Sequence, residues 1–396
     1  MVAAATAIAA GSAFGQSSVT LYGIIDTGIG YQSSQTSVGS TSGGRSVVKM
    51  LNGVLYGSRI GLKGSEDLGG GNKAIFVLEQ GFNSANGAQA VTGLGFSRQA
   101  YVGLANPTFG TLTAGRQYES YYTLLVPWSP ATRLSGFFGA HPGDIDSLDL
   151  IYRANNTLVY TSPTMRGLTF SGSYSLGGVP GSFNAGSTWS AALQYMSGPV
   201  GIAVGMERVN NSTPEGGPWG ANSTMSNAGA EAGVSAINAG YQTARAQQRV
   251  AVTGGYTFTQ QWSVTASYSN VQYIPGTGSK FLDTAIFNTA GVVLHFMPSA
   301  AWDFAAGYSY TKATRANGID DPASYQQVSL AQYYSLSKRT SLYLMEAFQR
   351  AGGTTLGLDG AGNFINATAS IGDGMNGAPS SSRSQFAAGF GIVHKF

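Results

Sequence analysis

Strand-like runs, joined by connections of two alternating lengths, are the feature that most constrains this chain. The runs are about ten residues long and rich in Val, Tyr, Phe, Thr and Gly. Short connections lie at residues 66–71, 106–110, 163–167, 197–199, 259–261, 297–300 and 336–339. Long connections rich in Gly, Ser, Asn and Pro lie between them, at residues 32–46, 118–150, 211–246 and 352–382. A barrel with its turns at one rim and its loops at the other has this alternation.

Counting the runs gives about sixteen strands, the kind of even number that bacterial single-chain barrels have. Individual strands support the pattern unequally. Asn155 and Thr157 alternate with Leu158 and Tyr160, which predicts a polar and an apolar face, whereas residues 96–104 alternate poorly. We therefore expect an all-β fold, a 16-stranded antiparallel transmembrane barrel.

The composition is poor in charge but rich in apolar and aromatic residues. Charged residues make up 10% of the chain, against about 25% in an average soluble domain. With 43% hydrophobic residues the chain has too much apolar material to stay disordered. A membrane-spanning helix needs about 20 consecutive apolar residues, and no run approaches that length. Lipid offers no hydrogen-bond partners, so every backbone polar group of a membrane-spanning segment must be paired within the protein. For a chain without spanning helices, a closed β-barrel meets this requirement.

Several kinds of chemistry are disfavoured. Cysteine is absent, which excludes disulfides and thiolate sites, and the net charge of +3 without a basic stripe argues against a nucleic-acid partner. The three histidines lack the spacing of metal ligands. Asp144, Asp146 and Asp149 resemble part of an oxygen-ligand loop, but Asn155 stands where that loop needs Glu. We expect no metal, no cofactor and no catalytic residues.

The N-terminal segment is Ala-rich and apolar, and it ends in the small-x-small sequence AFG. This predicts a signal peptide at residues 1–15, cleaved before Gln16, followed by a barrel over residues 16–396. A positively charged start is missing, so we expect the full precursor to be longer. A buried N-terminal helix is the alternative.

At the other end, a final strand-like run finishes on an aromatic residue. Phe386, Phe390, Ile392 and Phe396 fall on one face of this run. Because the last strand of a barrel must pair with its first, we expect Phe396 to serve as an assembly signal.

Seven segments resemble the general porins of Gram-negative β-proteobacteria. They are SVTLYG (18–23), GSRIGLKGSEDLG (57–69), RQAYVGL (98–104), FGTL (109–112), AGRQ (114–117), RANNTLVYTSP (153–163) and VHKF (393–396). Together they extend over nearly the whole chain after residue 16. The resemblance implies a homotrimer in the outer membrane, in contact with lipid and lipopolysaccharide, that passes small hydrophilic solutes and ions.

The same resemblance implies a pore narrowed by an inward-folded third loop, here residues 118–150, facing arginines on the wall. The wall candidates by motif match are Arg59, Arg98, Arg116 and Arg153. The candidate loop residues are Glu119, Arg133, His141, Asp144 and Asp146. Each arginine could instead be an ordinary strand residue reaching toward an interface.

The loop departs from the family pattern, because it has no carboxylate between Glu119 and Asp144 and lacks the acidic motif of many relatives. Arginine-lined pores select anions. We therefore expect an anion preference.

Three alternatives remain at this point. One is a substrate-specific channel for a carboxylate or phosphate, in which Arg59, Arg98 and Arg133 bind the solute. A second is a barrel enzyme that depends on His141. The third is a secreted soluble β-sandwich.

Overall fold

A computed structural model describes residues 17–149, 152–220, 222–224, 234–374 and 377–396. The predicted signal peptide, residues 1–15, lies outside these ranges. The described strands are β1 (Ser18–Gln35), β2 (Arg45–Asn52), β3 (Arg59–Gly69), β4 (Asn72–Gly81), β5 (Gln99–Asn106), β6 (Gly110–Gln117), β7 (Ala154–Thr161), β8 (Leu168–Ser175), β9 (Thr188–Ser197), β10 (Val200–Asn210), β11 (Ala246–Thr257), β12 (Trp262–Ile274), β13 (Ala285–Phe296), β14 (Trp302–Ala313), β15 (Ser324–Ser335), β16 (Thr340–Gly352), β17 (Thr354–Leu356), β18 (Phe364–Asn366) and β19 (Ser384–Lys395). The described helices are α1 (Ser120–Leu125), α2 (Ala131–Leu134) and α3 (Gly136–Gly139), with 3-10 turns at Val126–Trp128, Pro142–Asp144 and Ala239–Tyr241.

The long strands form one closed antiparallel barrel. β1 pairs with β19, beginning with Ile24 opposite Lys395, and this pairing joins the two ends of the sheet. On its other side β1 pairs with both β2 and β3. Those two strands are one wall position interrupted between Asn52 and Arg59, so the 17 strands of the sheet fill sixteen positions. The predicted 16-stranded barrel is confirmed.

Alternating side chains give each strand a lipid-facing and an inward face. In β16, Leu342, Leu344 and Phe348 are exposed on the outside, whereas Tyr343 and Met345 are buried inside. Exposed apolar side chains are expected where the surrounding solvent is lipid. The face of β19 that carries Phe390 and Ile392 is likewise exposed.

The interruption between β2 and β3 is held by one buried carboxylate. Asp26 Oδ2 accepts hydrogen bonds from the backbone N–H groups of Leu55 and Tyr56, at 2.7 and 2.8 Å. Its Oδ1 accepts from the Tyr343 hydroxyl at 2.8 Å. Because charged hydrogen bonds are strong, Asp26 fixes this irregular segment next to the start of β3.

Turns and loops alternate around the barrel as predicted. Short turns join the strands at one rim, for example Gly69, Gly70 and Gly71, which all have positive φ and form the turn between β3 and β4. Long connections lie at the opposite rim, since each antiparallel strand returns the chain to the other end.

The third long connection, residues 118–149, folds into the barrel and is called the inward loop below. Its helix α1 packs against β8 to β11, α2 against β14 and β15, and α3 against β15 and β16. Tyr121, Leu125 and Phe138 are completely buried in this packing. No helix in the described ranges is long and apolar enough to cross a membrane.

Other long loops fill the interior on the same side. Ile145 of the inward loop lies in one apolar cluster with Tyr241, Phe281, Ile319 and Leu356, which come from four later loops. Inward side chains of β12, β13 and β15 complete this cluster. One half of the barrel interior is therefore packed as an apolar core, and the open space lies toward β2 to β7.

Candidate functional site: an arginine-lined constriction

The inward loop and the opposite wall enclose a cavity of about 610 Å³. The wall contributes the segment between β2 and β3, the connection between β4 and β5, and the ends of β6 and β7. Four arginines line the cavity: Arg59, Arg98, Arg116 and Arg153. These are the wall candidates from the sequence, and the structure brings them together. Their part in conduction stays a prediction.

Strand order explains why the arginines converge. Arg59 begins β3, Arg98 precedes β5, Arg116 lies near the end of β6, and Arg153 precedes β7. In an antiparallel sheet the end of one strand lies beside the start of the next. All four positions therefore lie at the loop-side ends of neighbouring strands, and Arg59, opposite Ile24 of β1, lies about midway along its wall position.

A single wall carboxylate, Glu79, is paired within this group. Its Oε1 lies 2.7 Å from Arg98 Nε and 3.9 Å from Arg59 Nη1. The Tyr22 hydroxyl donates a hydrogen bond to Oε2 at 3.0 Å. Glu79 is buried, and its charge stabilises the neighbouring guanidinium groups in their positions.

Tyr118, at the start of the inward loop, orders two of the arginines. Arg98 Nη2 donates to its hydroxyl at 2.9 Å, and the Arg153 guanidinium lies 5.2 Å from its ring centroid. Gly57 leaves room for this arrangement, because a Cβ there would lie 2.8 Å from Arg98 Nη1. The sequence did not identify Tyr118 as a site residue.

Arg116 is directed along the wall. Its Nε donates to the Ser97 carbonyl at 2.8 Å, and its Nη1 donates to Asn155 Oδ1. These bonds tie the connection before β5 to β7. Arg116 thus contributes positive charge to the cavity while also bracing its edge.

Four of the predicted loop residues are buried behind the loop and do not line the cavity. Glu119, His141, Asp144 and Asp146 are each at most 3% exposed. His141 Nδ1 lies 2.6 Å from Asp146 Oδ2, which also accepts a hydrogen bond from Ser269 of β12. These groups fasten the loop to the wall.

Glu119 has a similar position. The Tyr152 hydroxyl donates to it at 2.9 Å. Burial and the neighbouring Glu207 raise the pKa of Glu119 well above its ordinary value.

Arg133 is the exception among the predicted loop residues, because its side chain is 42% exposed. Its Nη1 lies 3.7 Å from Asp303 Oδ2 on β14. Arg133 does not line the cavity that the four wall arginines share.

Glycines on the wall form the surface on which the inward loop packs. A Cβ on Gly201 would lie 1.8 Å from Trp128 Cζ2, and one on Gly255 would lie 2.4 Å from Trp128 Cδ1. Leu125 lies over Gly205 in the same way. At these three positions a side chain would displace the loop, and the sequence alone gave no sign of the pairing.

Two carboxyl groups that the sequence did not place at the site also line the cavity, Asp149 and Asp373. Among the described residues, no group of three or more His, Asp or Glu side chains is arranged to hold a metal ion.

A closed sixteen-stranded barrel, narrowed by an inward loop beside clustered arginines, defines the class of channel-forming outer-membrane barrels. The chain belongs to the Gram-negative porin family, whose family model matches residues 2–354. It is therefore a protein of the Gram-negative outer membrane, and the resemblance read from the sequence is confirmed.

Similar proteins agree with this assignment. An outer membrane porin of Bordetella pertussis is 36% identical over 233 residues, which are 54% of this chain and 59% of that protein's length. Outer membrane porin protein 32 of Delftia acidovorans is 26% identical over 408 residues, covering 100% of this chain and 99% of that one. The solved structure of an anion-selective porin from Comamonas acidovorans has a TM-score of 0.66 at 22% identity, covering 96% and 100% of the two chains.

Proposed function

We propose that the protein forms a water-filled channel for passive diffusion of small hydrophilic solutes and ions, with a preference for anions. The observation that carries this proposal is the convergence of four guanidinium groups on one cavity. Three carboxyl groups lie in or against the same space, Glu79, Asp149 and Asp373, so positive charge is in excess. A positive constriction concentrates anions and repels cations. The anion-selective porin of similar fold supports this direction.

The arginines also allow a runner-up function, a substrate-specific channel for a small carboxylate or phosphate. Arg59 and Arg98 are positioned for such a solute, whereas Arg133 lies outside the cavity. We propose no catalytic role for His141, since its buried ring is committed to Asp146. The family members named above are porins, which favours a channel over an enzyme.

We propose that three copies assemble in the membrane, that their outward faces contact lipid and lipopolysaccharide, and that Phe396 aids assembly. The Phe396 carbonyl accepts a hydrogen bond from the Gly23 N–H at 3.0 Å, and its ring covers Gly23. A porin of similar fold from Vibrio cholerae has a trimer form. Chemical crosslinking in membranes should capture trimers of the wild type, and Phe396→Ala should slow their formation.

Reversal potentials across a planar bilayer with a KCl gradient test the selectivity. One unit charge at about 6 Å in water is worth about 0.7 kcal/mol, or about threefold in local ion concentration. Arg98→Gln should therefore lower the chloride-to-potassium permeability ratio about tenfold, because the loss of one charge lowers the local chloride concentration and raises the local potassium concentration about threefold each. Arg350→Gln removes a charge from the exposed outer face and should leave the ratio unchanged.

A clear cation preference of the wild type would contradict the proposed selectivity. Conductance that saturates and is blocked by one carboxylate or phosphate would favour the substrate-specific channel instead.

A further inference from the structure

β10 carries two neighbouring ions of opposite sign on its two faces. Glu207 points inward, where its Oε2 accepts a hydrogen bond from Arg249 Nη1 at 2.9 Å. Arg208 follows on the outward face, in line with the exposed side chains of Ile202 and Val204. Within the described ranges Arg208 forms no ion pair with a carboxylate. The outward cation therefore differs from Arg249, whose charge is paired inside the protein.

Arg208 lies where the apolar band of the outer surface ends. β10 runs from the short turn before Val200 toward the long connection that follows Asn210. In outer-membrane barrels the short turns are periplasmic and the long loops are external. A lipid-facing arginine is destabilising at the bilayer midplane but tolerated near the interfaces. Arg208 is therefore placed at the level of the lipid headgroups in the external leaflet.

Two neutral amides hold the Arg208 guanidinium. Its Nε donates to Asn210 Oδ1 at 3.1 Å, and its Nη1 donates to Gln248 Oε1 at 3.2 Å. Asn210 is held in turn, because its Nδ2 donates to Ser187 Oγ at 3.1 Å. Gln248 lies directly opposite Arg208 in the pairing of β10 with β11. The guanidinium is thus ordered by groups that leave its positive charge uncompensated.

Aromatic side chains border Arg208 on its other side. Trp189 of β9 is paired with Arg208, and Tyr174 of β8 is paired with Trp189, so all three share the outward face. The Tyr174 ring stacks on Phe183 with 5.2 Å between centroids, and Phe183 is 72% exposed. Tyr and Trp are enriched at the level of lipid headgroups. The aromatic rings therefore indicate the same membrane depth as the arginine does.

Positive charge is in excess at this part of the external rim. Arg245 is exposed and directly precedes β11, and its carbonyl accepts a hydrogen bond from the Asn211 N–H at 2.9 Å. In the described part of the connection between β10 and β11, Glu215 is the one acidic residue. Its Oε2 accepts a hydrogen bond from Thr277 Oγ1 at 2.8 Å. The balance of charge favours an anionic ligand.

We propose that Arg208, together with Asn210 and Gln248, binds a phosphate group of lipid A, the phosphorylated glycolipid that anchors lipopolysaccharide in the external leaflet. This inference rests on the proposed contact of the barrel with lipopolysaccharide. A guanidinium binds phosphate through strong, paired hydrogen bonds, and the Gln248 amide supplies further N–H donors. The acyl chains then lie along the apolar band that Ile202 and Val204 form.

Binding of fluorescently labelled lipid A to the purified protein in detergent tests the proposal. Arg208→Gln should weaken this binding about tenfold, as expected for the loss of one charged hydrogen-bonding group. Arg166→Gln makes the same change in the exposed turn between β7 and β8, at the periplasmic rim, and should bind as the wild type does. Gln248→Leu keeps the cation but removes one group that orients it, so binding should weaken about threefold.

Equal affinity of the Arg208→Gln and Arg166→Gln proteins for lipid A would overturn the proposal. Equal affinity of the wild type for lipid A and for lipid A without its phosphates would do the same. Displacement of lipid A by inorganic phosphate or by phosphatidylglycerol vesicles at equal concentration would overturn the assignment to lipid A and point to another source of phosphate.

Channel recording separates this site from the pore. Arg208 lies on the outer face, so Arg208→Gln should keep the conductance and the permeability ratio of the wild type, which also shows that the barrel is folded. A wild type that binds no lipid A at all would refute the proposed contact with lipopolysaccharide. Binding that survives in Arg208→Gln would overturn this site alone.

Discussion

The two halves of the barrel interior follow the same strand alternation but have opposite contents. Along β9 to β16 the inward faces carry small and aromatic residues together with buried, hydrogen-bonded polar groups, and the loops pack on them in apolar clusters. Along β3 to β7 the inward faces carry arginines around an open cavity. Period-two alternation therefore fixes which residues face inward, and their chemistry decides whether that space is filled or left to water.

Arginine illustrates this difference within one protein. Arg249 of β11 lies in the filled half, where its Nη1 pairs with Glu207 at 2.9 Å and its Nε donates to the Ile145 carbonyl at 3.0 Å. A guanidinium buried this deeply is stable only when paired, and here it fastens the inward loop. Arg98 and Arg153 instead border open space. Identical residue types thus have structural and lining roles in opposite halves.

The largest effect is expected from a substitution in the filled half, at the wall glycines on which the inward loop packs. Gly201→Leu occupies the space of Trp128, and losing the burial of a Trp side chain costs about 3–5 kcal/mol. We expect the free energy of unfolding to fall by about that amount, and single-channel conductance to rise as the inward loop detaches. Urea unfolding in lipid vesicles and planar-bilayer recording measure the two quantities.

Gly172→Leu is the matched control for this change. Gly172 lies on β8, on the face that carries Phe170, and a Cβ there would meet its nearest atom at an ordinary 3.6 Å. This variant should keep both stability and conductance. Unchanged conductance in Gly201→Leu would show that Trp128 does not hold the loop.

The next largest effect concerns the open half. Asp26→Ala removes the acceptor for Leu55, Tyr56 and Tyr343, and charged hydrogen bonds contribute about 1.5–3 kcal/mol each before relaxation. We expect a loss of about 3 kcal/mol in the free energy of unfolding, measured in urea, and a shifted Arg59. Asp67→Ala at the exposed end of β3 should cost far less. Equal losses in the two variants would refute the role of Asp26.

The sequence predicted the barrel well because its signals are local. Strand alternation, turn length and the positions of Arg59, Arg98 and Arg153 on strand motifs can all be read within short segments. The interruption between β2 and β3 was not foreseen, because it depends on Asp26, which lies on another strand.

The site was harder to predict, since it depends on contacts between distant segments. The inward loop has no simple period, so its sequence did not show that His141 and Asp146 turn toward the wall. Asp373 reaches the cavity because the connection between β16 and β19 docks on Gly143 of the inward loop, and no local pattern indicates this contact. The match of Trp128 to Gly201 is likewise tertiary.

A smaller effect should sharpen the charge difference between the halves. Glu79→Gln removes the carboxylate that Arg98 and Arg59 share, which leaves more positive charge at the cavity. We expect the chloride-to-potassium permeability ratio to rise about tenfold in reversal-potential measurements. Glu66→Gln, near the exposed end of β3, should leave the ratio unchanged. A lower permeability ratio in Glu79→Gln would mean that the arginines need this carboxylate to keep their side chains directed into the cavity.

The smallest effect is expected for Arg133→Ala, at the border between the two halves. Its contact with Asp303 is long, at 3.7 Å, and half exposed, and surface ion pairs contribute about 0–1 kcal/mol. The free energy of unfolding should change by less than about 1 kcal/mol, and the permeability ratio should move less than in Arg98→Gln. If Arg133→Ala instead lowered the ratio as strongly as Arg98→Gln, the current would pass Arg133. The open half would then extend along the inward loop toward β14, and the border between filled and open space would have to be redrawn there.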